Sequence, residues 1–180
     1  YLTALHNHTL PVLLNTEKVE KGDCFFIPAG TVHAICKGCY IAEIQQTSDI
    51  TYRIYDYDRR DKNGNPRELH TELATDVINF CEQKQHSIHY HQHENHTEEL
   101  VSCNYFTTNY LKFDKEVEKD YIELDSFVIY MCLEGNFTLV YDVDKTVKVN
   151  KGETILVPAI LKNLFLIPET EAEILEIYIR

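Results

Sequence analysis

The chain has 180 residues, 44% of them hydrophobic, with 17 Lys and Arg against 29 Asp and Glu, a net charge of −12 and an isoelectric point near 5.1. That length can bury one large core or two small ones. The acidic balance argues against nucleic acid or an anionic membrane surface as a partner, and no apolar run is long enough to span a bilayer or reads as a signal peptide.

Residues 1–16 carry Leu2, Leu5, Leu10, Leu13 and Leu14, a loose helical stripe broken at Pro11. The chain opens on Tyr1 rather than Met, and this stretch reads as the tail of something longer. Residues 21–33 follow, with the spacing Gly-x5-Pro-x-Gly-x2-His. Lys21, Gly22 and Asp23 form a turn, since Gly takes a positive φ without strain. Phe25, Phe26 and Ile27 are a short apolar strand, which Pro28 ends because it has no N–H for a ladder. Gly30 allows a sharp bend, so His33 is expected at the start of a returning strand, on a stiff corner. A metal-binding imidazole needs such rigidity, because its lone pair must be aimed at the ion.

There are six cysteines, Cys24, Cys36, Cys39, Cys81, Cys103 and Cys132. Most lie in apolar strand-like runs, where free Cys behaves as a small hydrophobe, so a reduced, cytoplasmic protein is expected. Cys36 and Cys39 form a lone Cys-x2-Cys, read as a Lys-Gly hairpin turn between two buried thiols rather than half a zinc ribbon.

Residues 39–46 and 51–58 alternate in polarity and read as strands. Residues 59–67 are a polar loop turning at Asn63-Gly64. Leu69, Leu73, Val77 and Ile78 recur at helical spacing, predicting a helix of about three turns over residues 68–80. Residues 83–99 are polar and rich in histidine, and read as a linker. Strands follow from Val101 onward, with turns expected at Glu134-Gly135-Asn136, Asp144-Lys145 and Asn150-Lys151-Gly152.

The chain repeats itself. Residues 151–159 (KGETILVPA) stand 130 positions after residues 21–29 (KGDCFFIPA), with Gly, Pro and Ala coinciding. Two copies of one unit are implied, and many short strands make that unit a β-sandwich or barrel. At the ligand position His33 aligns with Asn163, so the first copy is expected to carry the chemistry and the second to be its structural partner.

The Gly-x5-Pro-x-Gly-x2-His spacing resembles the second metal-binding motif of the cupin superfamily, although Lys37 stands where that family has a later Asn. Residues 19–80 resemble more closely the class I mannose-6-phosphate isomerases of the short bacterial type. The segments that carry this are residues 21–35, residues 43–49 (EIQQTSD), residues 51–59 (TYRIYDYDR) and residues 74–80 (ATDVINF). The resemblance implies a mainly β protein of two cupin-type jelly rolls, the second degenerate, with one or two short helices. It divides the chain into residues 1–82, the C-terminal part of a catalytic cupin domain, residues 83–100, the His-rich linker, and residues 101–180, the second cupin.

It also implies the interconversion of mannose 6-phosphate and fructose 6-phosphate, with one zinc per full-length chain. His33 matches one zinc ligand, and the others are expected upstream of Tyr1. His6 and His8 make a His-x-His without a suitably placed Glu. Arg53 matches an active-site arginine whose permanent charge suits an enediolate or a phosphate. On spacing alone it would be a surface cation paired with Asp56 or Asp58. Glu43 matches an active-site carboxylate that could relay a proton, and reads equally as a solvated outward residue. His86, His89, His91, His93 and His96 form a dense cluster, and His91, His93 and Glu98 copy the spacing of the first cupin metal motif without its flanking glycines. We read that cluster as solvated, a weak adventitious metal binder at most. Two other readings of the chain are a sugar-binding cupin module without catalysis, and a different metal-dependent cupin enzyme that completes its site with His91, His93 and Glu98.

Overall fold

The computed structural model describes residues 1–48, 50–81 and 86–180. Asp49, which ends one of the family segments, and residues 82–85, which open the expected linker, lie outside the described residues. The chain divides into two compact units, one of Tyr1–Tyr40 with Thr47–Ser87, the other of Ile41–Gln46 with Ile88–Arg180.

The second unit is built on seven antiparallel strands: β3 (His96–Ser102), β4 (Thr107–Phe113), β5 (Val117–Asp120), β6 (Val128–Asp142), β7 (Lys145–Asn150), β8 (Thr154–Val157) and β9 (Asn163–Tyr178). Their order is β3-β4-β9-β6-β7, with β5 also on β9 and β8 also on β6. The two long strands change partners along their length. Residues 172–178 of β9 pair with β4 and residues 163–166 with β5, while β6 pairs with β8 at one end and β7 at the other. Two strands that bend together in this way make both walls of a jelly-roll sandwich.

The bend in β6 is visible in its side chains. Val128, Tyr130 and Cys132 point inward, then Phe137 and Leu139 do. The inward phase shifts by one residue because register slips between Cys132 and Glu134 and between Gly135 and Phe137. Gly135 was expected in a turn. It is instead the hinge of this bulge, with φ +70° and the Glu171 carbonyl oxygen only 2.0 Å from where a Cβ would stand. The other two turns form where expected, with Asp142 and Lys145 closing one hairpin and Gly152, at φ +83°, in the next. The core between the walls holds Leu111, Phe113, Tyr130, Phe137, Leu164 and Leu166. On its outer face β9 contributes Leu175 and Ile177 to a second cluster with Tyr110, against which Ile44 packs. That contact explains why Ile41–Gln46 belongs to this unit.

The first unit has little regular structure: α1 (Leu2–His6), a 3-10 turn at Leu10–Leu13, β1 (Cys24–Phe25) and α2 (Thr71–Thr75). β1 pairs with β2 (Ser87–Ile88). The strands expected over residues 39–46 and 51–58 do not form. A strand requires a neighbour offering free donors and acceptors, and among the described residues none lies beside them in a ladder. The helix expected over residues 68–80 shortens to five residues. Its apolar stripe stays exposed at Leu69, Leu73 and Val77, and Ala74 alone is buried, at 1% exposure, so packing does not stabilise further turns. Cys36, Cys39 and Cys81 are exposed and Cys132 is the buried cysteine. Cys36 and Cys39 therefore do not flank their turn as core residues, because no strand carries them inward. Part of the stretch read as linker, from His96 on, is strand β3.

Candidate functional site

The corner before His33 is made twice in this chain. In the first copy the Asp23 N–H donates to the Glu20 carbonyl (3.2 Å) and the Glu20 N–H to the Asp23 carboxylate (2.8 Å). In the second the Glu153 N–H donates to the Asn150 carbonyl (2.9 Å) and the Asn150 N–H to the Glu153 carboxylate (2.8 Å). Gly22 and Gly152 both have positive φ, 96° and 83°. After the strands, Thr31 N–H closes on the Pro28 carbonyl at 3.2 Å, as Leu161 N–H does on Pro158 at 3.0 Å. The copies part at the next step. Gly30, with φ +84°, is approached so closely that an added Cβ would lie 2.6 Å from the Val77 carbonyl oxygen, and its own carbonyl accepts from Asn79 N–H at 2.9 Å. In the second copy Ile160 stands in its place and the chain runs straight into β9, with Asn163 as its first residue.

His33 is exposed and does not start a strand. Its Nδ1 lies 3.0 Å from the Thr31 carbonyl oxygen. A carbonyl only accepts, so the proton sits on Nδ1 and the Nε2 lone pair remains for another partner. That tautomer suits a metal ligand, whose second nitrogen commonly donates to a carbonyl. His33 borders a small open pocket with Leu10, Leu14, Val32, Ile54 and Tyr55.

Arg53 is half-buried and its Nη1 donates to the Glu68 carbonyl at 3.2 Å. It is not the partner of Asp56. Arg67 takes both carboxylate oxygens of that residue, Nε to Oδ2 at 2.7 Å and Nη2 to Oδ1. Asp56 is buried, and the Arg67 hydrogen bonds hold its carboxyl below the usual carboxylate range, with the charges of Arg67, Arg59 and Arg53 adding to the effect. Tyr57 and Asp58 follow with φ of +52° and +53°. Two consecutive non-glycine residues there are strained, and persist where the surroundings fix them. The Arg59 N–H bond to the Asp56 carbonyl (3.0 Å) and the Asp56 ion pair supply that constraint.

Glu43 is exposed on Ile41–Gln46, beside the inward Ile44. His93 and His96 both turn Nδ1 to Glu98 Oε1, at 2.6 and 3.3 Å, and His93 lowers the Glu98 carboxyl below its ordinary value. Among the described residues no three His, Cys, Asp or Glu side chains are arranged to hold a metal. His33 thus fits zinc as one ligand, and the described residues do not complete a site around it.

The interior of the second unit holds a buried polar network beside its apolar core. Glu176 and Lys119 meet there at 2.9 Å, with side chains 3% and 9% exposed. Asn109 donates to Glu176 at 2.8 Å, and the hydroxyls of Tyr121 and Tyr130 join the same network. The pairing of Asp56 with Arg67 and the contacts of Arg53 with Glu68 and His70 were not legible in the sequence, since the partners lie across the polar loop with no periodicity linking them.

No family model matches the chain. A curated relative, the mannose-6-phosphate isomerase ManA of Bacillus subtilis (strain 168), is 36% identical over 148 residues, covering 81% of this chain and 46% of its own. The mannose-6-phosphate isomerase of Streptococcus mutans is 53% identical over 66 residues, 37% of this chain and 21% of its own. The crystal structure of the mannose 6-phosphate isomerase from Bacillus subtilis superposes with a TM-score of 0.87 at 32% identity, covering 99% of this chain and 56% of that one. The chain spans about half the length of the curated relatives it matches over four fifths of its residues.

Proposed function

We infer, for a chain that is a relative of the mannose-6-phosphate isomerases, that these 180 residues serve in an aldose–ketose isomerase interconverting mannose 6-phosphate and fructose 6-phosphate. The observation that carries this is the superposition of 99% of the chain on a solved isomerase at 32% identity. The reaction moves a proton between adjacent carbons through an enediol, so it needs a base in reach and a positive group where the oxyanion develops. Arg53 is that positive group. Its candidacy is supported by Asp56 being occupied by Arg67, which leaves the guanidinium resting on a neutral carbonyl. Glu43 is the carboxylate that relays the proton.

His33 supplies one ligand to a zinc ion, supported by the Nδ1–H bond to Thr31 that leaves Nε2 available. One imidazole does not hold zinc, so the remaining ligands are sought beyond the described residues, and bound zinc would orient the sugar oxygens. The sugar phosphate is the partner. The protein works in the cytoplasm, a reading supported by six free cysteines and by the absence, among the described residues, of a helix able to cross a membrane. Residues 1–82 form the C-terminal part of the catalytic cupin and residues 101–180 the degenerate one, with Asn163 in the place of His33 supporting a structural role.

The test is a coupled isomerase assay and metal analysis on the full translated product. About one zinc per chain is expected, and His33→Ala and Arg53→Ala should each abolish turnover, the first with loss of zinc. Wild-type turnover in both variants would overturn the assignment.

A further inference from the structure

Arg53 is held at its backbone and at its head by the same three-residue stretch. Its N–H donates to His70 Nδ1 at 3.1 Å, and its carbonyl accepts from the His70 N–H at 2.7 Å. Its Nη1 reaches the Glu68 carbonyl at 3.2 Å. Three residues further on, the buried carboxylate of Asp56 is gripped by Arg67, three residues before His70. The two segments are therefore stapled at both ends, by His70 on Arg53 and by Arg67 on Asp56. His70 is itself anchored. Its carbonyl accepts from Ala74 N–H at 2.9 Å at the start of α2, and its ring tilts against Tyr52 with centroids 5.9 Å apart.

We propose that His70 is a positioning residue for Arg53: its unprotonated Nδ1 fixes the Arg53 backbone, and with it where the guanidinium is presented to the sugar phosphate. This rests on the isomerase reading of Arg53. The chemistry required of His70 is narrow. Nδ1 must be an acceptor, because the atom facing it is a donor, so the ring proton sits on Nε2. An Asn side chain places an amide oxygen near the position of Nδ1 and can accept the same bond, whereas Ala leaves the Arg53 N–H without its acceptor. A displacement of a charged group by about 1 Å can cost on the order of 100-fold in rate.

The experiment uses the full translated product in a coupled isomerase assay, with amide hydrogen exchange read at Arg53. His70→Ala should lower kcat by roughly 10- to 100-fold, with a smaller effect on KM, and should remove the slow exchange of the Arg53 amide. His70→Asn should restore both. Nitrogen NMR of His70 should place the proton on Nε2. If Arg53→Ala is impaired while His70→Ala turns over at the wild-type rate, or if His70→Asn is no better than His70→Ala, this inference alone is overturned. Arg53→Ala at the wild-type rate overturns the role of Arg53 and this inference with it. A His70 proton on Nδ1, or unchanged Arg53 exchange in His70→Ala, overturns the contact whatever the activity.

Discussion

Replacing Lys119 by Met should unfold the second unit more readily than any surface change. Lys119 Nζ lies 2.9 Å from Glu176 Oε1 and 2.8 Å from Thr97 Oγ1, and the Glu176 side chain is only 3% exposed. Met keeps most of the stem volume and removes the charge, so Glu176 keeps only neutral donors, Asn109 and Tyr121. Breaking a buried ion pair on one side costs about 3–5 kcal/mol. For a unit of this size each kcal/mol is worth roughly 4–8 °C in Tm, so the transition should fall by more than about 10 °C. The sign of the pH dependence is a sharper test. Burial pushes the Glu176 carboxyl up, but Lys119, Asn109 and Tyr121 more than offset it and leave the pKa lowered. Its contribution is therefore present above the unfolded carboxyl value, about 4.3, and is lost as pH falls through the folded one. Without Lys119 burial dominates and the folded pKa rises, so the variant's handicap should shrink on going from pH 7 to pH 4. Thermal unfolding followed by near-UV circular dichroism is suitable, since the chain has 12 Tyr and no Trp and Tyr121 and Tyr130 sit in this network. A deficit below about 1 kcal/mol, unchanged between pH 7 and pH 4, would refute the reasoning.

Gly135→Ala meets both a positive φ and a carbonyl oxygen 2.0 Å from the new Cβ, whereas Gly152→Ala meets the positive φ with nothing within 4 Å. Urea unfolding should show a loss of about 1–2 kcal/mol at Gly152 and a clearly larger one at Gly135, and equal losses would remove the bulge from the account of β6. In the native protein a thiol reagent should label Cys36, Cys39 and Cys81 first and Cys132 only on unfolding. Cys132 is buried, and burial pushes its thiol above the ordinary value. Labelling of Cys132 at the rate of Cys36 would contradict that order.

The repeat was legible because it is made of local chemistry. Gly-Asp or Gly-Glu turns, a short apolar run and a Pro stop specify the same hydrogen bonds wherever they occur, and both copies make them. Mainly β structure was legible for the same reason. The alternation at residues 39–46 and 51–58 marks residues able to form strands, but a strand is completed by its neighbour, and among the described residues none lies in register there. The turn expected at Gly135 illustrates the opposite case: the glycine is required, but by the close approach of β9, which only the folded chain supplies.

By itself, then, the sequence determined the mainly β class, the repeated corner that precedes His33, and the difference between the two copies at Asn163, all written in contiguous residues. Tertiary structure decided which arginine takes Asp56, that Arg53 is held by His70, and that Lys119 and Glu176 meet inside the second unit. Those contacts join residues 11, 17 and 57 positions apart, and a side chain's partner at such separations is set by how the backbone returns on itself, which no local pattern encodes.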